Sequence, residues 1–185
     1  HYRDVADRML AAAKEHLVYE PQQSLASHQG VAHHEVHVDG STLEFLHWGL
    51  IDTTDSIFEG TLNQYSKLRT SQGGFRRLES QLSLTGGSGA DTYDSSEWVF
   101  LNLRIGDLMR RVGRDAEADM LLNRVTGAAE ANDNLIPELY NPTTGDYDGA
   151  IPMVGYGAGA WMMSQLERYG EPTPHYGGGL AHCGQ

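Results

Sequence analysis

Between Trp98 and Ala131 the chain repeats apolar residues at helical spacing twice, and one glycine separates the two runs. The first run, to about Val112, puts Trp98, Leu101, Leu103, Ile105, Leu108 and Val112 on a broad stripe. The second, from Asp115 to about Ala131, turns Ala118, Leu121, Leu122, Val125 and Ala129 inward. Gly113 stands between them where a helix C-cap glycine belongs. Two striped helices joined this closely predict a helical hairpin, and with it a core built by packing helix on helix.

The rest of the chain extends that pattern. Tyr2 to Leu17 reads as a helix, with Val5, Met9, Ala12 or Ala13, and His16 or Leu17 at three- and four-residue spacing, and Pro21 cannot continue it. Gln22 to Asp39 is a polar loop with a strand-like alternation from Glu35 to Val38, closed by the turn signal Asp39-Gly40. Ser41 or Thr42 caps a second helix to about Ile51, with Glu44 completing a capping box if Ser41 is the cap. That helix is apolar on most sides, which predicts burial. Thr53 to Ser56 offers the next cap, for a helix over Ile57–Leu68 that Gly73-Gly74 terminates. Phe75 to Thr92 is irregular and rich in Gly, Ser and Thr; a sixth helix runs from Pro152 to Tyr169. Arg110, Arg111 and Arg114 read as a solvated helix end. About six helices and little sheet make the fold class all-α, with residues 1–170 as one helical body and 171–185 as a Gly- and Pro-rich tail.

Charge narrows the partners. The 185 residues carry 25 Asp plus Glu against 13 Lys plus Arg, a net charge of −12. That excludes the basic surface that nucleic acid or an anionic membrane requires, and it suits a neutral substrate such as a sugar. A single cysteine, Cys183, forbids an intrachain disulfide and, with no leader visible, predicts a cytoplasmic protein, secretion remaining open. No apolar run approaches the roughly 20 residues that span a bilayer. The chain opens on His1 inside a helix, which reads as a piece of something longer or the second chain of a split protein, a trimmed chain being the alternative. His28, His33, His34 and His37 fit neither one helix face nor a zinc spacing, and Asp146-Tyr147-Asp148-Gly149 lacks the later acidic ligands of a Ca²⁺ loop. No metal or cofactor is expected.

The chemistry concentrates in Asn132–Tyr169. Glu138 follows Pro137 in a collar of Leu135, Ile136, Leu139 and Tyr140. Proline fixes its own φ and holds the preceding residue extended, so this carboxylate sits on stiff backbone. A rigid, partly desolvated carboxylate is suited to general-base work. The plain alternative is a loop acid that happens to follow a proline.

Ile136-Pro137-Glu138, the loop Tyr140–Gly149 and the helix after it match in order and spacing a known pattern. The segment from about Gly73 to Tyr169 resembles the C-terminal part of the catalytic domain of glucoamylase-like enzymes, glycoside hydrolase family 15, whose Leu-Pro-Glu or similar tripeptide carries the general base. Gly74-Phe75-Arg76-Arg77-Leu78-Glu79 and Ser96-Glu97-Trp98-Val99-Phe100-Leu101 resemble the family's Gly-Arg-Tyr-Pro-Glu-Asp and Asn-Pro-Trp-Phe-Leu segments, and Asp39–Trp48 its Asp-x-Asn-Thr-Ile-Leu segment.

The resemblance implies one half of an (α/α)6 toroid, an inner ring of helices inside an outer one, completed by a first-half polypeptide, since half a ring would leave apolar faces in water. It implies an inverting, exo-acting hydrolase that releases glucose from the non-reducing end of an oligosaccharide. Glu138 would be the base and Arg76 the sugar-binding arginine, with Arg77 as the neighbour it is confused with. Trp98 would be a stacking platform, with Glu97, Tyr156 and Trp48 as further substrate-side candidates. The structural alternatives are core for Trp98 and a solvated charge for Arg76. For His47 and Trp48 a buried core role is favoured. The general acid lies more than a hundred residues upstream of the base in the family, so it is expected outside this chain; Glu97-Trp98 reverses the order of the family's Trp-Glu. Val154-Gly155-Tyr156-Gly157 departs from the family's aromatic or His pair. A non-catalytic α/α carbohydrate-binding or scaffold protein, and a trehalase-like glycosidase, are the rival readings.

Overall fold

A computed structural model describes residues 1–26, 38–79, 92–148 and 155–170. The four histidines of the 22–39 loop, the strand-like alternation before Val38, the tail and Cys183 lie outside the described residues, as do 80–91 and 149–154. Among the described residues the chain is all-α. The helices are α1 (Tyr2–Leu17), α2 (Leu43–His47), α3 (Ser56–Gln64), α4 (Thr92–Ser95), α5 (Val99–Arg111), α6 (Asp115–Glu130) and α7 (Gly155–Arg168). The strands are two-residue pairs: β1 (Val18–Tyr19) with β2 (Ser24–Leu25), and β3 (Glu97–Trp98) with β4 (Leu139–Tyr140), both antiparallel. No helix among these residues is long and apolar enough to cross a membrane.

The hairpin predicted around Gly113 is the centre of the molecule. Gly113 takes φ +78°, the left-handed region that only glycine enters without strain, and its N–H closes the helix on the Arg110 carbonyl at 2.9 Å. α5 packs against both α6 and α7. It is buried on two sides because it serves two cores. Leu101, Ile105, Leu108 and Met109 join Leu43, Leu46, Phe58, Leu62, Tyr65 and Phe75. Val99 and Leu103 join Leu122, Val125, Ile136, Tyr140 and Ala160. α1, by contrast, buries no residue.

Local chemistry shifts several expected boundaries. The second helix begins as a 3-10 turn over Gly40–Thr42, and its cap is Asp39, whose Oδ1 accepts from Ser41 N–H at 2.8 Å; Ser41 itself supplies no cap. Asp55 caps α3 in the same way, accepting from Ile57 N–H at 3.0 Å. α3 gives way to a 3-10 turn, Tyr65–Leu68, instead of continuing as one helix. The arginines beside Gly113 are not a solvated end. Arg110 pairs with Asp119 at 2.7 Å, Arg114 with Glu117 at 2.7 Å, and Arg111 with Glu167 of α7 at 3.1 Å. Arg111 also donates to the His47 carbonyl at 2.7 Å, so it ties α2, α5 and α7 together.

That junction encloses Asp107, 2% exposed. Its acidity is weakened to a pKa of about 7, chiefly by burial and then by Glu167, against the opposing pull of Ser164, Arg104 and Arg111. The native state therefore keeps a proton that the unfolded chain gives up near pH 4. The associated stability is fully present below about pH 4 and is lost as pH rises through about 7, amounting to about 4 kcal/mol at most. Asp107→Asn cannot ionise. Its melting temperature should gain on the parent's between pH 5 and pH 8, by about 2–4 °C for each kcal/mol recovered. Parallel melting curves at the two pH values would contradict the assignment.

The 132–148 loop is held by its own backbone. Asp133 and Asn134 take left-handed φ values of 54° and 60°, which asparagine and aspartate tolerate best among non-glycine residues. Asn134 N–H returns to the Ala129 carbonyl at 2.8 Å, and the Tyr147 hydroxyl donates to the Leu135 carbonyl. Asn141 Oδ1 accepts from the N–H groups of Thr143 at 2.9 Å and Thr144 at 3.0 Å. The β3–β4 register, Trp98 opposite Leu139, then fixes Glu138 beside the start of α5, where Val99 N–H donates to the Glu138 carbonyl at 3.1 Å.

Candidate active site

Glu138 is half-buried within this loop. Two phenol hydroxyls donate to its Oε1, Tyr93 at 2.7 Å and Tyr156 at 2.7 Å. They come from opposite directions in sequence, Tyr93 from α4 and Tyr156 from the first turn of α7. Each ring is backed edge-on by an aromatic residue near the start of α5. Trp98 meets Tyr93 at 4.8 Å between centroids and 75°, and Phe100 meets Tyr156 at 5.5 Å and 87°. The Trp98 indole N–H also donates to the Tyr93 carbonyl at 3.0 Å. Oε2 of Glu138 has no hydrogen-bond partner among the described residues. Gly157, one residue past Tyr156, runs over Ile136 and Pro137, so the small-residue start of α7 approaches the loop that carries Glu138.

Both phenols stay protonated well beyond neutral pH. Burial pushes the Tyr93 phenol up to about 12, and the bond to Glu138 pushes it the same way. Tyr156 moves up for the same two reasons in the same order. Tyr93 and Tyr156 therefore keep their protons and act as the donors in both bonds to Glu138 at neutral pH.

A cavity of about 230 Å³ opens in front of the α5 start, lined by Gly40, Ser41, Leu43, Glu44, Arg77, Trp98, Phe100 and Leu101. Gly40 lets the backbone come close: a Cβ there would stand 2.9 Å from Leu101 Cδ1, and its N–H donates to the Arg77 carbonyl at 2.8 Å. The Arg77 guanidinium lies 5.8 Å from the Trp98 ring centre and 3.4 Å from Asp94, which accepts from it. Arg104 lies over Phe100 at 5.1 Å and over Trp48 at 5.8 Å. Trp48 is 39% exposed, its indole N–H on Glu44 at 2.5 Å, so the expected core role falls to His47 alone, 2% exposed between Arg104 and Arg111.

The structure thus gathers Glu138, Tyr156, Trp98 and Arg77, with Trp48 at the margin. Arg76 and Glu97 lie elsewhere. Arg76 sits on the other side of the short bridge it forms with Glu97, its Nη2 on the Arg69 carbonyl at 3.4 Å. Arg77 is the arginine that lines the cavity. Glu97 is fully buried and occupied. Its Oε1 accepts from Asn102 at 2.8 Å and Arg124 Nε at 2.8 Å, its Oε2 from Thr70 at 2.7 Å and Arg124 Nη2 at 3.1 Å. Gly74 is packed so tightly on it that a Cβ would fall 2.1 Å from the carboxyl. With four donors and no exposed surface, Glu97 is a buried structural carboxylate with nothing left for a sugar.

Tyr93, Phe100 and Arg104 were not foreseeable as site residues from sequence motifs. Among the described residues no group of three His, Cys, Asp or Glu is placed to hold a metal ion. Near the cavity Asp39 caps a helix turn and Asp94 accepts from Arg77, while Glu44 accepts from Trp48 through Oε2 and keeps a buried Oε1 without a hydrogen-bond partner among the described residues.

No protein-family model matches the sequence, and no curated protein sequence does. Solved structures do. A glycosidase in its wild-type form superposes with a TM-score of 0.69 at 20% identity, covering 91% of this chain and 44% of that one. A substituted glycosidase gives 0.69 at 21%, and another, in complex with glucose, gives 0.66 at 19%. The chain spans less than half the length of the structures it matches. At these identities the likeness speaks for architecture alone: the chain shares its all-α fold with a little under half of each of those structures.

Proposed function

We infer that this chain supplies the general base of an inverting glycoside hydrolase, on half of a glucoamylase-like (α/α)6 toroid of glycoside hydrolase family 15. The observation that carries this is Glu138, pinned through one oxygen with the other unengaged among the described residues, beside an aromatic and guanidinium-lined cavity in a fold shared with glycosidases. In single-step inversion the free oxygen takes a proton from water as that water's oxygen bonds to the anomeric carbon. The glycosidic C–O bond breaks on the opposite face, and a general acid protonates the departing oxygen. Arg77 and Trp98 suit the terminal sugar, the first as a fork of donors for hydroxyls and the second as an apolar face for the ring. The substrate proposed is a short α-glucoside cleaved at its non-reducing end, and no cofactor enters.

The engagement of Asp39 and Asp94, together with the family's acid lying more than a hundred residues upstream of its base, supports a general acid outside this chain, on a polypeptide carrying the other half of the ring. The same observation supports the second reading, a non-catalytic α/α carbohydrate-binding protein, and a trehalase-like enzyme would share the fold. Native mass spectrometry separates the first two: a stoichiometric partner is expected. Maltose and α-D-glucosyl fluoride should then yield β-D-glucose as the first product in the proton NMR spectrum. The fluoride leaves with little help from an acid and so isolates the base. First-formed α-D-glucose overturns the inverting mechanism, and no turnover of either substrate by the complete assembly overturns the hydrolase reading.

A further inference from the structure

We propose that Tyr93 and Tyr156 are paired positioning residues that hold Oε1 of Glu138 between them and so assign proton acceptance to Oε2. The inference rests on the reading of Glu138 as the base, and it adds which atom works and what aims it.

The argument is one of lone pairs. A carboxylate oxygen has two, and Oε1 receives two hydroxyl donors at 2.7 Å each. Such short O–H···O⁻ bonds belong to the charge-assisted class. Oε1 is then saturated and unavailable to an incoming water proton. Oε2, with no partner among the described residues, keeps both lone pairs. The clamp also removes the freedom that makes glutamate a poor positional base. Its side chain has three rotatable bonds, and hydroxyls arriving from α4 and α7 hold its end from two sides, against the fixed backbone of Pro137 and β4. Trp98 and Phe100 serve the same purpose one step back, since each props one of the two phenol rings from the rigid start of α5.

Two measurements test this on the purified protein with any stoichiometric partner retained. The first needs no turnover. 3-Fluorotyrosine is placed at position 93 or 156, and its phenol is titrated by ¹⁹F NMR with Glu138 intact and in Glu138→Gln. Loss of the carboxylate should bring each phenol's ionisation down by about one pH unit. No movement at either position overturns the clamp. The second uses α-D-glucosyl fluoride. Tyr93→Phe and Tyr156→Phe should each lower kcat about tenfold with little change in KM, and should move the acid limb of the kcat/KM profile to higher pH by about one unit. The double variant should move it further. Wild-type acid limbs in both single variants overturn the positioning role, even where Glu138→Gln is inactive and the base reading stands. Conversely, turnover surviving in Glu138→Gln removes the base reading, whatever the fluorine titration shows. If a phenylalanine variant fails to fold, 3-fluorotyrosine at the same position is the substitute. As a stronger donor it should move the acid limb to lower pH, and an unmoved limb counts against the proposal.

Discussion

Glu138→Gln should abolish most turnover while leaving the fold as it is. Removing a positioned general base costs typically 10²–10⁴-fold in rate, and the glutamine amide cannot accept the proton from water. The loss should fall on kcat, with KM nearly unchanged, because the lost interaction belongs to the transition state. Stability should hold. The side chain is only half-buried, and the amide carbonyl can still accept from Tyr93 and Tyr156. The check is steady-state kinetics on maltose and α-D-glucosyl fluoride beside a thermal melt. Near-normal kcat in a folded variant would end the assignment of Glu138 as base.

Glu97→Ala should do the reverse, costing stability first. The substitution strands Arg124, which points both of its donating nitrogens at the missing carboxylate, and it releases Asn102 and Thr70 from theirs. Breaking one side of a buried ion pair costs about 3–5 kcal/mol. That should be read as a fall in the urea midpoint with little change in slope. A change under about 1 kcal/mol would mean the pair is solvated in solution. The distinction also separates two roles for Glu97: a sugar ligand would alter KM and spare the urea midpoint.

The helical hairpin was legible because its two signals are local. Apolar spacing marks α5 and α6, and Gly113 must take a positive φ where they meet. Glu138 was legible as a candidate because proline stiffens its backbone, a property of the residue immediately before it. What failed to show were relations across distance. Tyr93 reaches Glu138 over 45 positions from the edge of a Gly-, Ser- and Thr-rich stretch that carries no periodicity. Choosing Arg77 over Arg76 depends on which side of a single bridge residue faces the cavity, and an isolated bridge leaves no alternation to read. Glu97 reads in sequence as a substrate-side candidate, and only the convergence of Thr70, Asn102 and Arg124 makes its burial possible. Arg110 and Arg111 misled for the same reason: a cluster of cations at a helix end is solvated unless its counter-charges, Asp119 and Glu167, arrive from other turns and other helices.

The absent side chain of Gly74 bears on how this sequence can drift. Its place is taken by the Glu97 carboxyl, so no residue with a Cβ can succeed the glycine while that carboxyl stays where it is. The carboxyl in turn cannot be shortened without orphaning Arg124. Gly74, Glu97, Asn102 and Arg124 therefore form an epistatic block, in which the fate of each substitution depends on which of the others came before. Lineages that carry this chain should inherit the four together or replace them together, and intermediates should be rare.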